Sequence, residues 1–240
     1  MSQTFPERLA SLHEAQLSLR DKAIDATLAD ADIGRHFTIV QGAMDVFEYF
    51  ARQCTSDIDL ETIQLLGIRL FNDLGAAVGL IMTGYCQAST MQIRDALETT
   101  FLIDLFQSDR QRIAAWRALD DATRRKEYSA VKVRTILDDR DGFTERKRAQ
   151  HYALLSGAGC HANPQAFNLL NPLGQGVVLG PFFEPGIFKG TIEELTKVAV
   201  LAAQKFVVFF NAMADRDSLR MRAEFHELAR SWFEEYFDAP

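Results

Sequence analysis

Apolar residues recur at helical spacing along most of the 240-residue chain. The pattern is clearest near the C-terminus, where Met221, Phe225, Leu228, Trp232 and Tyr236 follow one another at steps of four, three, four and four. This spacing places the five side chains on one face of an amphipathic helix. No long alternation of strand and helix patterns occurs, which argues against an α/β fold. We therefore predict an all-α, up-and-down multi-helix bundle that forms one domain over residues 1–240.

Local signals predict where several helices begin and end. A break at Gly34 separates the first two helical patterns, Thr144 is a candidate N-cap, and Thr191 forms a candidate capping box with Glu194 at a helix start. The run from Leu74 to Ile93 carries no charge, but its glutamines, serine and threonines are unlike a membrane span. We interpret this run as buried core helix, which the glycines inside it would kink or divide.

Residues 157–190 differ from the rest of the chain. They hold seven of the fourteen glycines and four of the six prolines. Two short apolar runs surround the sequence NPLGQG, which is typical of either a small β-hairpin or an ordered loop. We predict an irregular insertion in the bundle, with the loop or hairpin near residues 160–190.

Charge and cysteine content limit the classes of function. The net charge is −7 and the isoelectric point is near 5.3, which argues against a wholly basic nucleic-acid-binding surface. Three cysteines without a CxxC motif fit a reduced, cytoplasmic protein. The N-terminus lacks a signal-peptide pattern, and no phosphate-binding loop or common hydrolase motif occurs. We expect no membrane association and no cofactor.

A line of polar residues occurs within the apolar central segment. Thr83, Gln87, Thr90, Arg94 and Glu98 recur at steps of four, three, four and four, so they share one helix face. One interpretation is a polar pocket in which Arg94 holds an anion and Glu98 orients it. The other is a narrow solvent-exposed face with an ion pair between neighbouring turns.

The segment HYALLSGAGCHANP combines His151, Cys160 and His161 at the end of a helical pattern. Two adjacent zinc-ligand types do not make a four-ligand site, so we predict no metal centre. His161 lies on irregular chain, where acid–base or phosphate-contacting groups are often found. The alternative is a histidine that hydrogen-bonds the loop and fixes its path.

Nine of the 26 basic residues fall between Arg124 and Arg148. Such a stretch could contact phosphates. Five acidic residues are mixed into it, and mixed charge of this kind is typical of solvated helices. Both interpretations remain open on the sequence.

Three segments, MQIRDALETTFLIDLF, AAWRAL and HYALLSGAGCHANP, resemble a group of bacterial helical proteins related to the HEPN bundles. The resemblance covers roughly residues 75–165. HEPN ribonucleases are homodimers that carry an arginine followed four to six residues later by a histidine. Arg146 and His151 match that spacing best, although Lys147 departs from the polar residue that usually follows the arginine. The residues that carry the resemblance are Arg94, Glu98, Trp116, Tyr152, Ser156 and His161.

Two functions follow as hypotheses. The resemblance implies a homodimer that cleaves or binds RNA without a metal, in toxin or phage defence. His161, His151, Arg146, Arg94 and Glu98 would then be catalytic. The alternative is a non-enzymatic helical module that binds a partner protein or small ligand, with Arg94, Glu98 and His161 as a structural polar network. In either case we expect Tyr152, Ser156 and Asn163 to contact the ligand.

Overall fold

A computed structural model describes residues 5–160, 164–170, 176 and 178–237. The prediction of an all-α multi-helix bundle is confirmed, and no strand occurs among these residues. The α-helices are α1 Glu7–Ala29, α2 Ala31–Ala51, α3 Ile58–Met82, α4 Cys86–Ser108, α5 Gln111–Ala118, α6 Asp121–Glu127, α7 Ala130–Asp141, α8 Lys147–Leu155, α9 Pro185–Val207 and α10 Arg216–Tyr236.

The centre of the bundle consists of α2, α3, α4 and α9, which pack against one another. Helix α9 is buried over more than half of its circumference. Val198, Ala199 and Val200 are all buried, although successive residues on a helix point about 100° apart. Aromatic contacts join the layers, and the ring of Phe47 on α2 meets that of Phe206 on α9 edge to face at 5.1 Å.

The C-terminal helix α10 packs its apolar stripe on α2 and α9. Trp232 and Phe225 are buried, and the other three residues of the stripe are partly buried against the core. The indole N–H of Trp232 donates to Nδ1 of His36 at 3.2 Å. The stripe inferred from sequence is therefore a packing surface within the chain.

Several predicted helix boundaries are wrong because other residues provide the caps. Asp30, not Gly34, separates α1 from α2, and its carboxylate accepts the backbone N–H groups of the next helix. Helix α8 begins after Arg146 instead of Thr144. Helix α9 begins at Pro185 with Glu184 as N-cap, so Thr191 lies inside the helix, where its hydroxyl donates to a backbone carbonyl. Proline at the first helical position needs no intrahelical acceptor for an N–H, which favours this earlier start.

The charge-free run from Leu74 to Ile93 is not one helix. Gly84 adopts a φ of +85° and divides it into the end of α3 and the start of α4. The carbonyl of Gly84 accepts the N–H of Phe182 at 3.2 Å, and a Cβ at Gly84 would lie 2.7 Å from the Phe182 carbonyl. Within the described chain, α3 has the length and composition that a membrane span needs, with 33% of its most apolar window buried.

The Gly/Pro-rich insertion is partly helical. Residues Ser156–Cys160 continue α8 as a π-helical turn, so Gly157, which the sequence offers as a helix end, lies within helical chain. Residues Pro164–Leu170 form a 3₁₀ helix. The predicted hairpin turn falls largely on residues 171–175, which lie outside the described residues, and so do His161 and Asn163.

Candidate functional site

A polar cluster lies where α4, α7 and α8 meet. The hydroxyl of Tyr152 on α8 donates to Oε1 of Glu98 on α4 at 2.7 Å. The Nε of Arg94 lies 3.4 Å from the same oxygen. The Arg94–Glu98 part of the polar line on α4 therefore meets α8. We refer to Arg94, Glu98, Arg134, Tyr152 and Ser156 together as the Tyr152 cluster.

Arg134 on α7 is the most unusual member of the cluster. Its guanidinium carbon lies 3.8 Å from the centroid of the Tyr152 ring, and the residue is only 7% exposed. Its Nε and Nη1 atoms are buried without a hydrogen-bond partner, and no described carboxylate forms an ion pair with it. A cation–π contact contributes about 2 kcal/mol at a desolvated site, whereas removing a charge from water costs several. The cluster thus contains a buried positive charge that the described residues do not neutralise.

The electrostatics of the cluster favour a neutral tyrosine. Burial raises the pKa of Tyr152, and the hydrogen bond to Glu98 raises it further. The phenol is therefore a hydrogen-bond donor at neutral pH and not a base. Ser156, one turn further along, is buried beside the phenol, and its hydroxyl acts to lower the pKa of Tyr152 without cancelling the rise. Arg94 also has a buried Nε without a hydrogen bond.

The backbone that follows α8 lies directly against α4. A Cβ added at Gly159 would stand 1.8 Å from Oγ1 of Thr90 and 2.8 Å from the carbonyl oxygen of Gln87. Only a residue without a side chain allows this approach. Gly159 therefore holds the π-helical turn on the same helix face that carries Arg94 and Glu98.

Arg134 also lines a cleft between α7 and the N-terminus of α8, which we call the α7–α8 cleft. Its volume is about 290 Å³. Arg146, the N-cap residue of α8, adopts a φ of 50°. Residues other than glycine rarely take this left-handed backbone conformation. The full lining is Val131, Arg134, Thr135, Asp138, Asp139, Phe143, Thr144, Arg146 and Ala149.

His151 points away from this cleft. Its Nε2 lies 3.0 Å from Oε2 of Glu194 on α9, and Lys197 contacts the other oxygen of that carboxylate. Burial alone would raise the pKa of Glu194, but the contacts with His151 and Lys197 outweigh it and lower the pKa to about 2. His151 and Arg146, the best HEPN-like spacing, therefore do not line a common cleft.

Much of the basic stretch is bound internally. Arg140 forms two hydrogen bonds to the buried carboxylate of Asp104, at 3.0 and 3.2 Å, and Lys205 lies 3.1 Å from the same group. Arg148 pairs with Asp138 at 2.8 Å. These pairs tie α4, α7, α8 and α9 together. We call the following residues the Asp104 network: Asp104, Asp138, Arg140, Asp141, Arg148 and Lys205.

A second group, Asp32, His36 and Glu193, has the composition of a metal site, with ligand atoms within 4.8 Å of one another. The hydrogen bond from Trp232 to Nδ1 keeps the proton of neutral His36 on Nε2, the atom that faces the carboxylates. Lys189 and Tyr236 already contact Asp32. A metal ligand needs a free lone pair, so this arrangement opposes metal binding.

Two charged groups of interest were not singled out from the sequence. Arg134 was one of nine residues in a basic stretch, although it falls on the inward face of α7 between Val133 and Leu137. Asp73 on α3 is also buried, and both burial and the charge of Asp95 raise its pKa to about 7. A charged residue at a core position of the helical pattern was the available signal in both cases.

The structure thus brings four of the residues selected from the sequence into one cluster: Arg94, Glu98, Tyr152 and Ser156. Arg146 lies at the adjoining cleft, whereas His151 faces α9. Comparisons with protein-family models, curated proteins and solved structures found no match.

Proposed function

We propose that this protein is a helical binding module that holds a small anionic ligand at the Tyr152 cluster. The observation that carries the proposal is the buried guanidinium of Arg134, whose Nε and Nη1 atoms have no partner among the described residues. An anion beside the guanidinium would neutralise its charge. Arg94, which pairs with Glu98, adds a second cation to the same cluster.

A small ligand fits these features better than an RNA strand. A phosphate backbone is bound through many exposed cations, and its affinity grows with the number of phosphates contacted. Here Arg140, Arg148 and Lys205 are engaged with buried carboxylates. The cleft of about 290 Å³ beside Arg134 matches a compact molecule.

Binding is also better supported than catalysis. A general base must accept a proton near neutral pH. Tyr152 has a raised pKa, and His151 faces Glu194 on α9 instead of the Tyr152 cluster. Arg94 and Glu98 are paired with each other, an arrangement that orients a ligand and transfers no proton.

Thermal unfolding at constant ionic strength tests the proposal with phosphate, sulfate and carboxylate salts. A ligand at 100 times its Kd stabilises the folded state by about 2.7 kcal/mol, which raises the Tm by roughly 5–10 °C for a chain of this size. We expect a saturable shift in the wild type and in the exposed control Arg125→Met, and none in Arg134→Met. Equal shifts in all three proteins would show only the general effect of salts and contradict the proposal.

A second candidate function is metal-independent RNA cleavage by a HEPN-like homodimer. The pair formed by His151 and Glu194 favours it, because a carboxylate orients the imidazole for proton transfer. In such an enzyme Arg94 or Arg146 would stabilise the developing phosphate charge. The experiment is RNA cleavage without added metal by the wild type, His151→Ala and His161→Ala, with the oligomeric state measured by sedimentation. Activity that disappears in one variant would support this function.

A further inference from the structure

The N-terminus of α8 lies at the α7–α8 cleft, which Arg146 and Ala149 line. The helix has nine residues, and no side chain caps its first turn. The first backbone N–H groups of any helix lack an intrahelical acceptor and lie at the positive end of the helix dipole. These groups are suited to the oxygens of an anion, and phosphate groups commonly bind there. A free helix N-terminus alone does not define a site.

Arg134 on α7 lines the same cleft. The residue is more than nine-tenths buried, and two of its nitrogen atoms have no hydrogen-bond partner. Arg146 lines the cleft from the other side, and its backbone occupies the left-handed region. Two arginines and a helix N-terminus thus converge on one cavity.

The acidic residues of the cleft do not cancel this charge. Asp138 is held by Arg148 at 2.8 Å, so its carboxylate is already neutralised. Asp139 is exposed to solvent, where its field is screened. Arg134 and Arg146 have no such carboxylate partner within the described part of the chain.

We propose that the α7–α8 cleft binds the phosphate group of a small phosphate monoester. The inference rests on the proposed anion binding and specifies its ligand. A phosphate dianion offers three strong acceptor oxygens, which can accept from Arg134, Arg146 and the backbone of α8 together. Thr135 and Thr144 line the same cavity. Its apolar lining, from Val131, Phe143 and Ala149, is suited to the organic part of the ester.

Phenyl phosphate is the probe, and benzoate is the matched carboxylate. Calorimetry gives the Kd of both for the wild type, Arg134→Met, Arg146→Gly and the control Arg125→Met. Glycine adopts a φ of 50° without strain, so Arg146→Gly removes the guanidinium and keeps the backbone path. Loss of one charge-assisted contact weakens binding by about 10- to 100-fold. We expect that loss in both site variants, none in Arg125→Met, and benzoate at least about 10-fold weaker than phenyl phosphate.

The outcomes separate the two proposals. If Arg134→Met abolishes binding but Arg146→Gly binds phenyl phosphate normally, the phosphate site at α8 is overturned and anion binding by the Tyr152 cluster stands. Equal affinity for benzoate and phenyl phosphate likewise overturns the ligand class only. If neither compound binds the folded wild type, both proposals fail. Thermal unfolding of each variant shows whether a loss of binding comes from a loss of folding.

Discussion

The Asp104 network and the Tyr152 cluster both contain residues of α4, α7 and α8. They differ in whether the buried charge has an oppositely charged partner. In the Asp104 network, a carboxylate that is 4% exposed receives Arg140 and Lys205 at hydrogen-bond distance. In the Tyr152 cluster, Arg134 is almost as buried and has an aromatic ring as its close neighbour. The charges of the Asp104 network neutralise one another, whereas the Tyr152 cluster holds an excess positive charge.

The comparison distinguishes charges that serve the fold from charges available to a ligand. A buried ion is tolerated when its partners and hydrogen bonds replace the water that it loses. Each cation of the Asp104 network has such a partner. Arg134 has none among the described residues, so either the cluster is strained or a group outside these residues completes it. The proposed anion is the second explanation, and variants of both regions test it.

The largest effect is expected for Asp104→Asn. The amide keeps the shape of the side chain but removes the charge, which leaves Arg140 and Lys205 facing a neutral group inside the bundle. Removing one partner of a buried ion pair costs about 3 kcal/mol or more. Urea unfolding at pH 7 measures the loss. The exposed control Glu234→Gln, which removes a surface partner of Arg230, should change stability by less than about 1 kcal/mol. A similar small change in Asp104→Asn would contradict the structural role of the network.

The next effect concerns the backbone beside the Tyr152 cluster. Gly159→Ala places a methyl group where Thr90 and the Gln87 carbonyl lie, so the π-helical turn must move from α4. Overpacking of this kind costs about 1–3 kcal/mol. Denaturant unfolding should show that loss, together with weaker anion binding, and adding Thr90→Ala should restore part of it. Gly79→Ala is the matched control, because a Cβ there meets no atom and alanine favours a helix, so we expect it to gain about 0.5–1 kcal/mol.

The amphipathic patterns were sufficient to predict the bundle, because burial on one face of a helix leaves a period in the sequence. They also placed Arg94 and Glu98 on one face of a helix. Helix ends were harder to predict. Asp30 and Glu184 cap α2 and α9, although Gly34 and Thr191 offered equally plausible local signals. The choice between such signals is made by packing between helices, which no local window contains.

The candidate site was predictable only where its residues share a helix. The step of four between Arg94 and Glu98 is a local property, whereas the contact of Arg134 with Tyr152 joins two helices across a change of chain direction. The partners of Arg140 and Arg148 are likewise set by tertiary structure. A count of basic residues cannot distinguish these paired cations from Arg134.

Asp73 extends the comparison to a buried acid. Burial and the charge of Asp95 raise the pKa of Asp73 to about 7, above the ordinary value of 3.8. The folded state therefore prefers the protonated form, and the stability that this group contributes is full below about pH 4 and is lost as the pH rises through 7. Asp73→Asn stays neutral, so it should be more stable than the wild type by about 1–2 kcal/mol at pH 8, with a smaller difference at pH 5. Urea unfolding at both pH values measures this, and a difference that does not grow with pH would mean that the acid is ionised in the folded protein.

The smallest stability effect should come from Arg134→Met measured without ligand, although Arg134 is nearly as buried as Asp104. Methionine retains the length of the side chain and its packing on Tyr152. The variant loses a cation–π contact worth about 2 kcal/mol and is relieved of the larger cost of a buried charge. Because the two terms oppose each other, urea unfolding should show a loss of less than about 1 kcal/mol. If the free energy of unfolding fell by about 3 kcal/mol or more, the charge of Arg134, like that of Asp104, would already be neutralised by partners within the chain. No unpaired charge would then remain for an anion to bind. A small change combined with the loss of anion-dependent stabilisation would instead show that this buried charge serves the ligand and not the fold.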